Sequence, residues 1–259
     1  RGIPHHMLDV ADPEEDFSVA RYVELAAPCV DDILARGKLP IVAGGTGLYL
    51  DSLLSGRTFA PFSPDGGLRA RLEARFDALG GEAMLGELAA ADPEAAARLH
   101  PNDRKRIVRA LEVFQQTGKT ISQHNRETRA LPLRYDALTL SLAFQRREDM
   151  WARIDRRVDE MMAAGLAEEV RALLDSGVPV RCTAMQAIGY KEMAAALRGG
   201  GDVCAAAEEI KLRSRQYAKR QLTWFRRTEG AKWLFWGPEP DFEAACRTST
   251  KYLEEFGLV

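Results

Sequence analysis

LPIVAGGTGLYLDSLL, running from Leu39 to Leu54, sets an apolar run, a Gly-Gly-Thr-Gly turn and an apolar-periodic segment end to end. Leu39, Ile41, Val42 and Ala43, bounded by Gly37 and Gly44, predict a short buried strand. The preceding FSVARYVELAAPCVDDILARG has helical periodicity, with Ser18 as N-cap and Gly37 just past the C-terminus. A second helix is expected to start near Thr46. Helix, strand, glycine turn and helix in that order form an α/β unit whose strand lies in a parallel sheet. In open α/β sheets ligands bind at the carboxyl ends of the strands. Glycines there let backbone N–H groups approach an anion, and the helix N-terminus adds partial positive charge. Thr46 could donate to a phosphate or leaving-group oxygen. The alternative is that it only caps the helix.

Outward from this unit, GRTFAPFSPDGG (56–67) reads as a Pro/Gly-rich linker, and residues 68–118 carry helical pattern with no strand among them. TISQHNRETRALPLRY is a polar connector. DALTLSLAF regains strand character, with Leu138, Leu140 and Leu142 alternating. Helices then run to Gly177, a loop leads to KEMAAALRGG, and a long helix is expected over about 202–227. AKWLFWG is a final strand and PDFEAACRTSTKYLEEF a final helix. The 259 residues, 46% of them hydrophobic, suffice for a large α/β domain or a core with a smaller companion. A net charge of −2 excludes a bulk polycation, so any nucleic-acid surface must be local. Cys29, Cys182, Cys204 and Cys246 show no metal-ligand spacing and read as reduced thiols. No apolar run is long enough to span a bilayer.

Charge is concentrated in three places. KLRSRQYAKRQLTWFRR (211–227) holds seven cations, Tyr217 and Trp224, and no acid. Arginine and lysine interleaved with aromatics suit RNA, cations meeting phosphates and rings stacking on bases. A solvated face with Trp224 in the core is the rival reading. In PNDRKRIVRALEVF, Asn102 or Asp103 caps a helix with Ile107, Leu111 and Phe114 as its buried stripe. Arg104, Lys105, Arg106 and Arg109 crowd its first turns, where the helix dipole disfavours cations. In WARIDRRVDEM, Arg153 and Arg157 lie four apart and could grip one phosphate group, but Asp155 and Asp159 could equally pair with them along the helix. His5, His6, His100 and His124 show no ligand spacing.

IPHHMLDV, GKLPIVAGGTGLYLDSLL, HPNDRKRIVRALEVFQQTGK, RRVDEMMAAGLAEEVRALL, AMQAIGYKE and RQYAKRQLTWFRR follow one another in this order. Together they resemble the bacterial tRNA dimethylallyltransferases, along essentially the whole chain. The resemblance implies a P-loop NTPase-like parallel-sheet α/β core with a helical insertion domain. It also implies transfer of a dimethylallyl group from dimethylallyl diphosphate to N6 of adenosine-37, giving N6-dimethylallyladenosine, with Mg²⁺ and with the base flipped out of the anticodon loop. Thr46 matches the threonine that contacts the bridging oxygen, and Arg69 resembles an arginine at the active-site entrance; these two are the catalytic candidates. Gly44, Gly45, Thr46, Arg153 and Arg157 are the diphosphate candidates. Lys105, Arg106 and Arg109 occupy the segment usually written Gln-Arg-x-x-Arg, with Lys105 replacing the glutamine. Gln186, Ile188, Gly189, Tyr190 and Lys191 match a further tRNA-contact segment, as do Lys219, Arg220, Gln221, Thr223, Trp224 and Arg226.

The resemblance further implies a P-loop and an Asp-Ser motif upstream of IPHH, carrying the Mg²⁺ ligands and the general base. The sequence starts at Arg1 without them, so residues 1–259 alone are expected to be inactive. The implied layout is a core over 1–63 and 131–259, the latter with tRNA-binding helices, around an insertion over 64–130. The implied partners are the tRNA anticodon stem-loop and dimethylallyl diphosphate, for a cytoplasmic monomer without membrane contact. A small-molecule P-loop kinase and a non-catalytic RNA-binding module are the alternatives.

Overall fold

The computed structural model describes residues 2–57, 59 and 67–258. The chain divides into two compact units, one of Arg1–Asp51 with Asp136–Val259 and one of Ser52–Tyr135. Of the 56–67 linker, residues 58 and 60–66 lie outside the described residues.

In the first unit, α1 (Val19–Ala35) begins where Ser18 Oγ accepts from the Arg21 N–H at 3.2 Å and is followed by Gly37 at φ 64°. A short helix α2 (Gly47–Ser55) then leads toward the second unit. After that unit come β1 (Leu140–Phe144), α7 (Arg147–Ala163), α8 (Leu166–Asp175), a 3-10 turn (Ala184–Gln186), α9 (Tyr190–Gly199), α10 (Val203–Phe225), β2 (Lys232–Trp236) and α11 (Phe242–Phe256). β1 and β2 pair in parallel, Leu140 opposite Lys232 through Phe144 opposite Trp236. α7 to α10 enclose a core of Val158, Leu166, Val170, Met185, Met193 and Ile210. Each such side chain taken fully out of water contributes about 1.5–3 kcal/mol.

Two strand expectations need correction. Leu39–Ala43 is not a strand: it has no ladder partner among the described residues, and Ile41 is 80% exposed. An extended segment becomes a strand only when a neighbour takes its N–H and C=O groups. In β1, Ser141 and Ala143 are the buried residues, while Leu142 is exposed. The inward set is therefore displaced by one residue from the leucine alternation, which in a period-2 strand exchanges the two faces.

The second unit is helical: α3 (Gly67–Ala91), α4 (Pro93–Ala96), α5 (Arg104–Thr117) and α6 (Ile121–Arg129). Leu72, Met84, Leu88, Ile107, Val108 and Leu111 form its core. Phe114, expected in the buried stripe, is only half-buried. α3 breaks at Gly80, where φ is 81° and ψ 166°. Beside it, a Cβ on Gly81 would lie 2.0 Å from the Pro101 carbonyl oxygen, so the two segments approach closely only because Gly81 lacks a side chain. Asp103 occupies the N-cap of α5, but its carboxylate accepts from the His100 N–H at 3.0 Å instead of capping the helix.

Asp92, buried, joins α4 to α6 by accepting from the Ala95 and Ser122 N–H groups, each at 3.0 Å. Burial alone would raise its pKa, but these bonds outweigh burial and hold it below the ordinary carboxyl value of 3.8. Its stabilisation is thus full above that ordinary value and disappears as pH falls through the lower folded value. Asp92→Ala is expected to cost about 1–3 kcal/mol near neutral pH. Thermal melts of the variant and the parent should differ at pH 7 and draw together as pH falls below the ordinary carboxyl value.

Candidate functional site

The Gly44–Gly47 turn meets the C-terminal half of α10, both within the first unit. None of its glycines has a positive φ, so backbone strain does not demand them. Space does. A Cβ on Gly45 would lie 2.0 Å from Gln221 Nε2, and one on Gly47 would lie 2.2 Å from Trp224 Cδ1. Gly44 is different: it is exposed, and a Cβ there would have nothing within 4 Å. Two of the glycines therefore make room for side chains of the protein itself, and only the Gly44 end faces open space.

Three residues of α10 spaced i, i+4 and i+7 make this contact. Tyr217 OH lies 3.4 Å from the exposed Thr46 hydroxyl, Gln221 Nε2 donates to the Gly45 carbonyl at 2.8 Å, and Trp224 Nε1 donates to Asp51 Oδ2 at 3.0 Å. Trp224, expected either to stack on a base or to sit in the core, is 40% exposed with its indole N–H anchored to α2. The Thr46 carbonyl accepts from the Tyr49 N–H at 2.9 Å, opening α2. Tyr49 in turn stacks on Tyr22 of α1 at 4.8 Å, and burial raises the pKa of both phenols. Beside Tyr22 is an open cavity of about 270 Å³ lined by Met7, Asp9, Val10, Ala11 and Phe17, with Met7 and Asp9 in the left-handed region at φ 64° and 53°. Asp51, Tyr22 and Tyr49 were not anticipated from the sequence. The i, i+4, i+7 spacing of Tyr217, Gln221 and Trp224 was visible there, but its partner was not.

The acid-free run on α10 is not uniformly free. Lys211 pairs with Asp159 of α7 at 2.7 Å and with Glu208 at 2.8 Å, and these bonds push its pKa up. Arg213 pairs with Glu209 at 2.6 Å. Arg215 grips Asp155 of α7 with two donors, Nε at 2.8 Å from Oδ1 and Nη2 against Oδ2, which raises its pKa. Arg147 and Arg215 lie over the Trp151 ring at 4.6 and 5.7 Å. Beyond this point Lys219, Arg220, Arg226 and Arg227 are exposed and have no ion pair among the described residues. Arg220 lies over the Tyr217 ring at 5.6 Å. Thr223 donates to the Lys219 carbonyl at 2.9 Å.

The same acids bear on α7. Because Asp155 and Asp159 serve Arg215 and Lys211, the intrahelical pairs that could have explained Arg153 and Arg157 are not made. Both arginines are exposed, with no ion pair among the described residues.

In the 186–191 segment, Gln186 Nε2 donates to the Val180 carbonyl at 2.7 Å, Ile188 packs against the helical core, and Gly189 starts α9 at φ 105°. Tyr190 OH donates to Glu169 at 2.6 Å, which pushes the phenol up to about 12. Lys191 is exposed.

The second unit gathers its own cations. Glu112, 1% exposed, accepts from Arg109 Nη1 at 2.7 Å, with Arg69 Nη1 at 4.0 Å. Arg69 Nε also donates to Glu73 at 3.2 Å. Arg104 pairs with Asp77 at 2.6 Å and covers the Phe76 ring. Lys105 and Arg106 are exposed, without an ion pair among the described residues.

A sequence model of the IPP transferase family matches residues 1–228. The chain is 49% identical over 234 residues to tRNA dimethylallyltransferase 1 of Trichlorobacter lovleyi, covering 90% of this chain and 76% of that protein. It is 43% identical over 242 residues to the tRNA dimethylallyltransferase of Bacillus subtilis, covering 93% and 76%. Among solved structures, the full-length tRNA isopentenylpyrophosphate transferase of Bacillus halodurans superposes with a TM-score of 0.68 at 37% identity, over 98% of this chain and 78% of that one. A eukaryotic dimethylallyltransferase acting on tRNA superposes with a TM-score of 0.75 at 27% identity, over 98% and 66%. These likenesses bear out the P-loop NTPase-like α/β fold class. They favour neither the kinase alternative nor the expectation that residues 1–259 alone are inactive. The chain is a member of the IPP transferase family, with its bacterial relatives named as tRNA dimethylallyltransferases.

Proposed function

We propose that this protein transfers a dimethylallyl group from dimethylallyl diphosphate to N6 of adenosine-37 in the tRNA anticodon stem-loop, giving N6-dimethylallyladenosine, and acts as a cytoplasmic monomer. The observation that carries the reading is the division of charge along α10. Lys211, Arg213 and Arg215 are neutralised, while Lys219, Arg220, Arg226 and Arg227 are left for an anion. Lys219 and Arg220 share the helix half that contacts the Thr46 turn through Gln221 and Trp224, and Arg226 and Arg227 directly follow its end. A polyanion held there brings its own atoms to a glycine turn suited to a diphosphate. No helix among the described residues is long and apolar enough to cross a membrane.

In the reaction the bond from N6 to C1 of the dimethylallyl group forms, the C1–O bond to diphosphate breaks with diphosphate leaving, and N6 passes a proton to water. Adenine N6 is a weak nucleophile because its lone pair is delocalised, so positioning supplies much of the acceleration. The charge that develops on the leaving oxygen is met by the Thr46 hydroxyl, and the diphosphate by the Gly44–Gly45 amides with Arg153 and Arg157. In the first unit Lys191 and the free cations at the end of α10 hold the RNA; in the second, Lys105 and Arg106 offer exposed charge, whereas Arg109 is paired with the buried Glu112. The Mg²⁺ that the resemblance implies finds no ligand set here: among the described residues no three carboxylate, imidazole or thiol side chains converge. No step assigned to these residues passes through it.

The test is nucleoside mass spectrometry of tRNA incubated with the protein and dimethylallyl diphosphate. N6-dimethylallyladenosine should appear and map to position 37. Accumulation of a phosphorylated small molecule, or tRNA binding with no modified nucleoside, would reject the reading.

A further inference from the structure

Sequence resemblance puts Gln221 and Trp224 among the tRNA contacts. The geometry points elsewhere. Gln221 directs its amide N–H to the Gly45 carbonyl at 2.8 Å, and Trp224 directs its indole N–H to Asp51 at 3.0 Å. Gly45 and Gly47 are the positions where a Cβ would collide with these two side chains. Thr46, between those glycines, has its hydroxyl 3.4 Å from Tyr217. The three α10 residues form one stripe, and at 100° per residue Lys219 and Arg226 lie roughly on the opposite side of the helix. One face of α10 thus holds the turn, Lys219 and Arg226 project from the other, and Arg220 lies beside the first, over the Tyr217 ring at 5.6 Å.

We propose that Gln221 and Trp224 are positioning residues that fix the Gly44–Gly47 turn, and with it the Thr46 hydroxyl, so that the helix gripping tRNA also sets the geometry of the leaving group. This rests on the reading of Thr46 as a donor to the leaving oxygen. The exposed run 39–43 before the turn has no ladder partner among the described residues, so α2, through the Tyr49 and Leu50 N–H groups on the Thr46 carbonyl, and α10 hold the turn.

The physical expectation follows from hydrogen-bond energetics. Losing the Gln221–Gly45 bond loosens the turn without removing a phosphate contact. Gln221→Ala should lower single-turnover kcat by about three- to tenfold, the effect of one net hydrogen bond. The Kd for tRNA and its salt slope should stay within error of the parent. Amide hydrogen exchange over residues 44–50 should accelerate, an effect that can be read without catalysis. Gly45→Ala should reproduce the phenotype from the other side, since its methyl displaces the Gln221 amide. In the double variant the methyl finds room, so Gly45→Ala with Gln221→Ala should be no slower than Gln221→Ala alone. Trp224→Phe, which keeps an aromatic ring but drops the indole N–H bond to Asp51 and the edge against Gly47, should accelerate exchange in the same segment.

Weaker tRNA binding with a shallower salt slope in Gln221→Ala, and unchanged turnover at saturating tRNA, would make Gln221 an RNA contact and overturn the proposal. So would unchanged exchange over 44–50 in both Gln221→Ala and Gly45→Ala. Absence of transfer by the parent protein would reject the proposed function instead, and retained turnover in Thr46→Ala would reject the role of Thr46. In both cases the exchange measurement still decides whether α10 holds the turn.

Discussion

Thr46→Ala should lower kcat by about 10²–10³-fold, roughly 2.7–4 kcal/mol of transition-state stabilisation, while leaving the Kd for tRNA unchanged. The hydroxyl sits exposed in a turn whose neighbouring glycine, Gly44, opens onto free space. Its one close side-chain group among the described contacts is Tyr217 OH at 3.4 Å, long for a hydroxyl pair, so the hydroxyl can turn to a ligand at little cost. An interaction made chiefly with developing charge is felt in kcat rather than in binding. Single-turnover rates on saturating tRNA, with thermal melts on the same preparation, give the answer. A helix cap would behave oppositely, losing about 1 kcal/mol of stability with turnover retained.

Arg220→Gln combined with Arg226→Gln should weaken tRNA binding and make the slope of log K against log salt shallower by about 1.4–1.8, from roughly 0.7–0.9 per phosphate contact. Both side chains are exposed and without an ion pair among the described residues, so their charge is available to a ligand. The matched control is Arg213→Gln. Arg213 is equally basic in sequence but paired with Glu209 at 2.6 Å, and its loss should shift the slope far less. Filter binding across a salt series measures all three. Equal slopes in the double variant and the parent would make this half of α10 a solvated face.

The sequence carried the helices well, because their signals are local. Ser18 and Gly37 bracket α1, and α10 occupies Val203–Phe225 where about 202–227 was expected. Strand 39–43 failed because a strand is a relation between two segments, and periodicity describes only one. The inward face of β1 failed for a similar reason: what neighbours a strand chooses its buried side. At the site, Thr46 and the cations were legible as residue types. The purpose of Gly45 and Gly47 was not, since the side chains they admit lie more than 170 positions away. Nor were the acids that silence Lys211 and Arg215, because those acids belong to a different helix.

Asp155 and Asp159 have a consequence for the kinetics of turnover. A helix offering seven free cations would hold any nucleic acid long after reaction, and each added phosphate contact would slow departure. By occupying Lys211 and Arg215, α7 shortens the adhesive part of α10 to its last two turns. If α10 holds the RNA as proposed, modified tRNA should then leave faster than from a helix with all seven cations free, and RNA that engages only this helix should dwell briefly. Removing these acids would tighten binding and, by prolonging the product complex, make the enzyme slower in steady state though no slower in its first turnover.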